Sequence, residues 1–327
     1  MSPARNQPNE CAPERRTIRQ DDAIVEASWC YFHEGMNQNE IAARLGVSRA
    51  TVVNYLAEAR RRDYVRVTLD TQIFLNHRLA ERLRERFGLQ QVLVVPSASD
   101  EPDRSYDRVA RAAADWLPHL LEPGDRLGVA WGETISRVAD AAPRQPIDDL
   151  TIVQLVGSRP AAMGFAAETC AAALAARFSA NLSNLHVPLL LSDRDLTERL
   201  KEEPVVATQL DAVASCNKVI FACGTVDDDS HIRRTGLLTT EELARYRGEG
   251  ATGVICARLI DANGAPIPTE IEERMIGVTL DQMRGKSLGL LVASGRERVP
   301  PSRAAILGGY ATHFATCSDT AQTLLGD

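Results

Sequence analysis

Residues 39–52, with the sequence NEIAARLGVSRATV, constrain the fold more than any other part of the chain. Two short helices that cross steeply need a small residue in the first helix, a glycine in the turn and apolar residues on both sides of the crossing. The segment has Ala42 or Ala43 in the first helix and Gly46 in the turn. Its apolar positions are Ile41, Leu45, Val47 and Val52. This spacing predicts a helix-turn-helix.

Three helices are expected in this region. The first covers residues 21–33, with Asp21 or Asp22 as its cap and Gly35 at its end. The second is Gln38–Leu45, and the third is capped by Ser48 and continues to about Arg62. The inward positions of the first helix are Ile24, Ala27, Ser28, Tyr31 and Phe32. Those of the third helix are Val52, Tyr55, Leu56 and Ala59.

A helix-turn-helix is typical of proteins that place their last helix in the major groove of double-stranded DNA. Serine and threonine hydroxyls can bind phosphate or base edges, arginine suits guanine or phosphate, and asparagine suits adenine. The residues expected to contact DNA are Gln38, Ser48, Arg49, Ala50, Thr51, Asn54, Arg60 and Arg61. The alternative is an ordinary helical hairpin, because arginines also complement the dipole of a helix's last turn.

Charge is distributed unevenly along the chain. The formal net charge is −7, yet residues 44–66 contain six arginines and only two acids. A basic segment on an acidic chain suits a polyanion-binding module that is attached to a second domain of different function.

Composition disfavours several other classes of protein. No uncharged apolar stretch approaches the roughly 18 residues that suggest a membrane span, so no membrane partner is expected. Residues 1–20 lack the apolar run of a signal peptide and are expected to form a disordered tail. The seven cysteines form no C-x-x-C pair and no cluster with zinc spacing. We therefore expect a cytoplasmic protein with reduced thiols, no metal site and no cofactor.

Predicted strands and helices alternate from residue 91 onward, which indicates an α/β domain with a mostly parallel sheet. Strands are expected at 91–96, 126–130, 151–156, 184–188, 218–223, 254–260, 275–278, 288–293 and 313–316. Helices are expected at 107–121, 134–142, 161–178, 205–215, 240–246 and 320–325. A short strand at 64–69, a linking helix at 76–87 and a hairpin at 261–264 complete the assignment.

Glycines follow three of the predicted strands, and ligands of open α/β sheets lie beyond such carboxyl ends. The three turns are Trp131-Gly132-Glu133-Thr134, Val156-Gly157-Ser158 and Cys223-Gly224-Thr225. In the first turn, Thr134 is expected to cap a helix whose free N–H groups suit an anion. Each glycine could equally be ordinary turn chemistry, but three in one sheet favour a pocket.

Short motifs in a fixed order resemble the SorC family of sugar-binding transcription regulators, which includes the deoxyribonucleoside and central-glycolytic regulators. The resemblance covers nearly everything after the tail. Besides the helix-turn-helix, the motifs are WCYFHEG at 29–35, ERFGL at 85–89, AWGET at 130–134, VQLVG at 153–157, RTGLLT at 234–239, GATG at 250–253, IGVTL at 276–280 and TAQTLL at 320–325.

The resemblance implies a C-terminal domain that is similar to sugar-phosphate isomerases, and an oligomer, typically a tetramer, that binds a phosphorylated sugar or related ligand. It assigns Gly132, Glu133 and Thr134 to a phosphate-cradling loop and Gly157 and Ser158 to a second wall. Further contacts are expected from Glu168, Gly224, Arg298 and either Arg233 or Arg234, of which Arg234 is preferred.

The chain departs from the family pattern at three places. Val254 stands where an acid is usual, Ser294-Gly295 followed by Arg298 replaces a Gly-Gly and lysine, and Cys317 replaces the aspartate of a Thr-Asp pair. Acids pair with sugar hydroxyls and lysine with phosphate. The effector is therefore expected to differ from the family norm, or its binding to be degraded.

These observations predict four segments: a disordered tail (1–20), a helix-turn-helix domain (21–70), a linker helix (71–90) and an effector-binding α/β domain (91–327). The expected function is that of a DNA-binding regulator, not an enzyme. Its partners would be an operator, a small sugar, sugar phosphate or polyol, and further copies of itself as a dimer or tetramer. The alternatives are an isomerase-like enzyme with Glu133, Glu168, His186 or His231 as the base, and a ligand-independent DNA-binding oligomer.

Overall fold

The computed structural model describes residues 14–98, 101–159 and 166–326, with side chains from Asp21 onward. Most of the expected tail, residues 1–13, lies outside the described residues. The chain divides into two compact units, with the boundary between Leu69 and Asp70. The helix expected as a linker therefore belongs to the second unit.

The first unit is built from α1 (Glu14–Phe32), α2 (Gln38–Leu45) and α3 (Arg49–Arg61). The helix-turn-helix is confirmed, and Ser48 caps α3 as predicted by accepting the N–H of Thr51. Gly46 ends α2 with a φ of 66°, a conformation that glycine adopts without strain. The first helix begins at Glu14 and not at Asp21, so the end of the expected tail is helical.

Apolar side chains between the three helices form a small separate core. Its buried members are Ala27, Cys30, Ile41, Ala42, Val52 and Leu56. Ala42, rather than Ala43, is the small residue at the crossing. The strand predicted at 64–69 is wrong: the segment is not helical and pairs with no strand, because residues 14–69 of this unit present no sheet edge to it.

The second unit contains a seven-stranded, all-parallel sheet and a three-stranded antiparallel sheet. The parallel order is β1-β10-β9-β5-β2-β3-β4. Its strands are β1 (Gln91–Val95), β2 (Arg126–Val129), β3 (Thr151–Gln154), β4 (Asn181–Ser183), β5 (Lys218–Phe221), β9 (Leu288–Val292) and β10 (His313–Cys317). The small sheet is β6 (Gly253–Ile255), β7 (Arg258–Ile260) and β8 (Pro266–Ile267). The mostly parallel sheet is confirmed.

Helices of the second unit alternate with these strands. They are α4 (Thr71–Leu75), α5 (Arg78–Phe87), α6 (Pro102–Trp116), α7 (Glu133–Ala141), α8 (Ala167–Phe178), α9 (Arg194–Glu202), α10 (Pro204–Ala214), α11 (His231–Arg234), α12 (Thr240–Gly248), α13 (Leu280–Met283), α14 (Val299–Leu307) and α15 (Ser318–Leu325). Short 3-10 turns lie at Leu117–Leu120, Glu272–Arg274 and Arg296–Arg298. Leu79, Ala80 and Leu83 bury the inner face of α5 in the main core.

Two predicted strands are wrong because other groups take their backbone hydrogen bonds. Near residues 184–188 the strand is Asn181–Ser183; beyond it, the side chain of Gln154 accepts the N–H of Leu185 at 3.3 Å. At 275–278 the chain makes only single bridges, such as Val156 with Gly277. The hairpin expected at 261–264 is confirmed between β7 and β8.

The strand predicted at 254–260 is in fact a hairpin of β6 and β7. Its turn residues, Cys256 and Ala257, have φ values of 48° and 67°. Two-residue hairpin turns require positive φ, and asparagine and glycine are their usual occupants. A Cys-Ala pair therefore gives no turn signal in the sequence.

Candidate DNA-binding face and ligand pocket

The outward face of α3 carries most of the side chains that were expected to contact DNA. Arg49, Ala50, Asn54, Arg60 and Arg61 are exposed, whereas Val52, Leu56 and Ala59 face the core. Gln38 and Thr51 are half-buried, and Ser48 is exposed. The predicted residues thus share one accessible face, whose contact with DNA remains a prediction.

Four of these residues are joined by hydrogen bonds within the motif. Arg49 Nε donates to Gln38 Oε1 at 3.2 Å, so the first residue of α2 orients the first residue of α3. The Ser48 and Thr51 hydroxyl oxygens lie 2.8 Å apart, and Ser48 Oγ also accepts the Thr51 N–H. The Ser48 hydroxyl is therefore already engaged in capping α3.

The arginine-rich end of α3 is largely paired within the unit. Glu58 forms ion pairs with both Arg61 and Arg62, and hydrogen bonds from the two guanidinium groups lower the pKa of Glu58 to about 2. Arg62 also reaches Asp21 at 2.5 Å. The Arg60 guanidinium lies over the Phe32 ring, 5.6 Å from its centroid. These arginines are held in place while remaining exposed to water.

A pocket in the second unit lies beyond the carboxyl ends of β2 and β5, as expected for an open α/β sheet. It contains six of the nine residues expected to bind the effector: Gly132, Glu133, Thr134, Gly224, Arg234 and Arg298. Gly157, Ser158 and Glu168 do not line it. The other residues of its wall include Tyr106, Trp131, Cys223, Thr225, His231, Val254, Cys256 and Ala257.

The wall nearest β2 is the N-terminus of α7. Gly132, and not Thr134, is the cap residue; its φ of 111° is a conformation that side chains rarely adopt, and no side-chain hydrogen bond caps the helix. The expectation that Thr134 caps α7 is therefore wrong. Thr134 lies within the first turn, where its hydroxyl is hydrogen-bonded to the hydroxyl of Tyr106. The uncapped N–H groups can face an anion.

Glu133 would repel an anion if its charge were uncompensated. Arg137, one turn further along α7, pairs with Glu133 at 2.6 Å and also with Asp107 on α6. The Arg137 guanidinium lies over the Tyr106 ring, 4.7 Å from its centroid. This network ties α6 to α7 and compensates the charge of Glu133.

Two arginines of the pocket lining, Arg298 and Arg234, carry positive charge with weak internal pairing. Arg298 Nη1 donates to the carbonyl of Cys223 at 3.3 Å, and Arg298 Nε lies 3.7 Å from a Glu297 carboxylate oxygen. Arg234 Nε is 4.0 Å from Asp229, whose side chain is 90% exposed. Both guanidinium groups can therefore bind an anion without first breaking a strong ion pair.

His231 lies beside Trp131 and close enough to these cations to interact with their charge. Its ring is 4.9 Å from the Trp131 ring in an edge-on arrangement. Burial, followed by the charges of Arg234, Arg298 and Arg159, lowers the pKa of His231. The imidazole is therefore neutral at neutral pH when the pocket is empty.

Gly157 and Ser158 were expected to form a second wall of the ligand pocket. Packing accounts for the glycine at position 157. A Cβ at Gly157 would come within 2.7 Å of the backbone of Pro188 and Leu189, so a side chain would not fit there. Ser158 Oγ accepts a hydrogen bond from Gln154 Nε2 at 3.3 Å. Glu168 lies in the first turn of α8, and its Oε2 is buried without a hydrogen-bond partner.

Two of the three departures from the family pattern face the pocket. Val254 and Arg298 line it, whereas Cys317 lies at the end of β10, 3.3 Å from Ser294 Oγ and 3.2 Å from Thr320 Oγ1. Trp131, which the sequence analysis placed in the first ligand turn, also lines the pocket, whereas Tyr106 and Cys256 were missed and carried no local signal.

The part of the chain that the structure describes contains no group of three or more histidine, cysteine or acidic side chains suited to a metal ion. Within those same residues no helix is both apolar and long enough to span a bilayer. The cysteines among them are all buried and unbridged.

Comparison with known proteins agrees with the fold. Residues 71–326 match the family model described as "Putative sugar-binding domain". An uncharacterized transcriptional regulator of Escherichia coli K12, YjhU, is 34% identical over 310 residues, which is 93% of this chain and 94% of that protein. The deoxyribonucleoside regulator of Bacillus subtilis 168 is 28% identical, covering 93% of this chain and 97% of that protein.

Among solved structures, the full-length sorbitol operon regulator SorC of Klebsiella pneumoniae superposes with a TM-score of 0.74 at 22% identity, covering 96% of this chain and all of that chain. The protein is therefore a transcriptional regulator with a sugar-binding domain and not an enzyme of the isomerase type. The chain belongs to the SorC family of regulators.

Proposed function

We propose that this regulator binds operator DNA through α3 and that a small anionic sugar metabolite in the pocket sets its affinity for the operator. The pairing of Glu133 with Arg137, opposite the weakly paired Arg234 and Arg298, is the observation that carries the proposal. This arrangement of charges leaves the pocket with a net preference for negatively charged ligands.

The ligand's anionic group is expected between the N-terminus of α7 and Arg298. Backbone N–H groups at a helix N-terminus and a guanidinium group together suit a phosphate or carboxylate. The hydroxyls of Tyr106 and Thr134 lie at the edge of this wall and can serve the sugar's hydroxyl groups. Gly224 would let the ligand approach the end of β5, and Val254 gives that side an apolar surface.

The proposed operator contacts are the exposed residues of α3 together with Gln38. Arg49 and Asn54 would reach base edges, while Arg60 and Arg61 would neutralise phosphates. A single motif contacts too little DNA for tight specific binding, so we expect a dimer or tetramer and an inverted-repeat operator. We expect the protein to act in the cytoplasm.

A stability screen tests the ligand proposal. A compound that binds only the folded protein raises its melting temperature. We expect sugar phosphates such as ribose 5-phosphate and glucose 6-phosphate to stabilise the parent protein, but not Arg298→Ala. The control is Arg296→Ala, since Arg296 is exposed two residues away and does not line the pocket. If neutral sugars stabilise all three proteins equally, the anion preference is wrong.

A further inference from the structure

The imidazole of His231 is the one titratable side chain of the pocket wall whose unperturbed pKa lies near neutral pH. It is the first residue of α11 and stands at the same wall as Arg298 and Arg234. A bound anion in this pocket would therefore lie close to a side chain that can change its charge under ordinary conditions.

In the free protein, burial and then positive neighbours oppose the protonation of His231. These groups come from three directions: Arg234 from α11, Arg298 from the turn before α14, and Arg159 from the segment after β3. The negative charge of Glu133 favours protonation of His231, but the Glu133 carboxylate is paired with Arg137. The remaining titratable side chains of the wall are Tyr106, Cys223 and Cys256, and burial raises the pKa of each above its ordinary value.

An anion placed among the same groups reverses this balance. Its negative charge compensates Arg298 and Arg234 and attracts a proton to the imidazole, which then becomes a further hydrogen-bond donor to the ligand. We propose that anion binding in this pocket takes up one proton from solvent at His231, so that the ligand is held by His231 together with Arg234 and Arg298. The inference rests on the proposed function, since it concerns the same pocket.

The sign of the pH dependence follows from linkage. If the pKa of His231 is higher in the complex than in the free protein, the complex gains protons and affinity increases as pH falls through that range. An opposite charge at about 4–6 Å raises a pKa by about 1 to 3. Anion affinity should therefore increase severalfold or more between pH 8 and pH 5.5.

Sulfate is a suitable probe because its charge stays at −2 throughout this pH range. The full-length protein, labelled with 13C at histidine Cε1, would be titrated with pH by NMR with and without saturating sodium sulfate, at constant ionic strength. The chain has six histidines, and His231→Gln identifies the relevant signal. We expect sulfate to raise the pKa of His231 by about 1 to 3.

Two other histidines provide internal controls. His313 is buried beside Lys218 with a pKa of about 4, and it does not line the pocket, so sulfate should leave it unchanged. His186 is exposed outside the pocket, so His186→Gln should keep the pH dependence of sulfate affinity that His231→Gln loses.

The outcomes separate this inference from the proposed function. If sulfate binds and Arg298→Ala abolishes that binding, but the pKa of His231 does not move, the proton uptake is refuted and the pocket stands. If sulfate binding is absent, or is unaffected by Arg298→Ala and Arg234→Ala, both the anion pocket and the proton uptake are refuted.

Discussion

The arginines of α3 and the arginines of the pocket are held in opposite ways. On α3, Arg61 and Arg62 are exposed and share Glu58 at short distance. In the pocket, Arg298 is half-buried and its distance to Glu297 is 3.7 Å, while Arg234 is 4.0 Å from a largely exposed aspartate. The α3 arginines are closely paired, whereas the pocket arginines are weakly paired, and of the latter Arg298 is partly buried.

This difference indicates what each surface can recognise. Exposed, paired arginines contribute mainly through the summed potential along the DNA backbone, which salt screens. Enclosed cations with weak partners interact strongly with an anion that replaces water around them. The DNA-binding unit is therefore suited to a long polyanion, and the pocket to one small anionic group.

The largest effect is expected where an enclosed cation is removed. Arg298→Ala should weaken binding of an anionic effector by about 1.5–3 kcal/mol, because a hydrogen bond to a charged group is lost from a partly desolvated site. Calorimetry on the parent and the variant measures this difference, and operator affinity without effector should be unchanged. Equal effector affinity in Arg298→Ala would place the anion elsewhere, and Arg296→Ala is the matched control.

Base-reading residues on α3 should have the next largest effect. Arg49→Ala and Asn54→Ala should each weaken operator binding by about 1–3 kcal/mol and relax sequence preference at one position. Gln38→Ala should reproduce part of the Arg49 effect, because Gln38 orients that guanidinium. Fluorescence anisotropy with operator and scrambled duplexes gives both quantities. If all three variants retain the parent's operator preference, another face of the unit reads the DNA.

A smaller effect is expected from the hydroxyl pair at the pocket edge. Thr134→Val removes the partner of the Tyr106 hydroxyl and should weaken effector binding by about 0.5–1.5 kcal/mol. Tyr106→Phe removes the other hydroxyl. A double-mutant cycle measured by calorimetry should show that the two losses are not additive. Strict additivity would mean that the two hydroxyls act on the ligand independently.

The smallest effect concerns the arginine-rich end of α3. Arg61→Ala should weaken binding to all sequences alike and reduce the slope of log affinity against log salt by about 1. Glu58→Gln, which removes the carboxylate charge that Arg61 and Arg62 share, should strengthen binding to all sequences and steepen that slope. An unchanged slope in both variants would show that this end of the helix does not contact phosphates.

The sequence predicted those parts of the molecule that follow from local chemistry. The helix-turn-helix was predictable because Gly46, Ser48 and the apolar positions lie within a few residues of one another. The pocket loop was predictable because Gly132 directly follows an apolar strand and precedes a helix. Both features depend on neighbours in the chain.

Features that depend on distant contacts were not predictable. Tyr106 reaches Thr134 only after α6 packs beside α7, and the Cys256-Ala257 turn is stabilised by packing rather than by turn residues. Gly157 looked like a ligand loop, yet it is required by the close approach of the Pro188 and Leu189 backbone. Local spacing does not distinguish a glycine that admits a ligand from one that admits another backbone segment.

The central claim is that occupancy of the pocket changes the affinity of α3 for DNA. The most direct test measures operator affinity by anisotropy, using a duplex selected from a random pool and the sugar phosphate that gives the largest thermal shift. The account predicts that saturating ligand changes operator affinity at least about fivefold in the parent protein and not in Arg298→Ala. An operator affinity that stays the same in the parent protein, with ligand demonstrably bound, would contradict it.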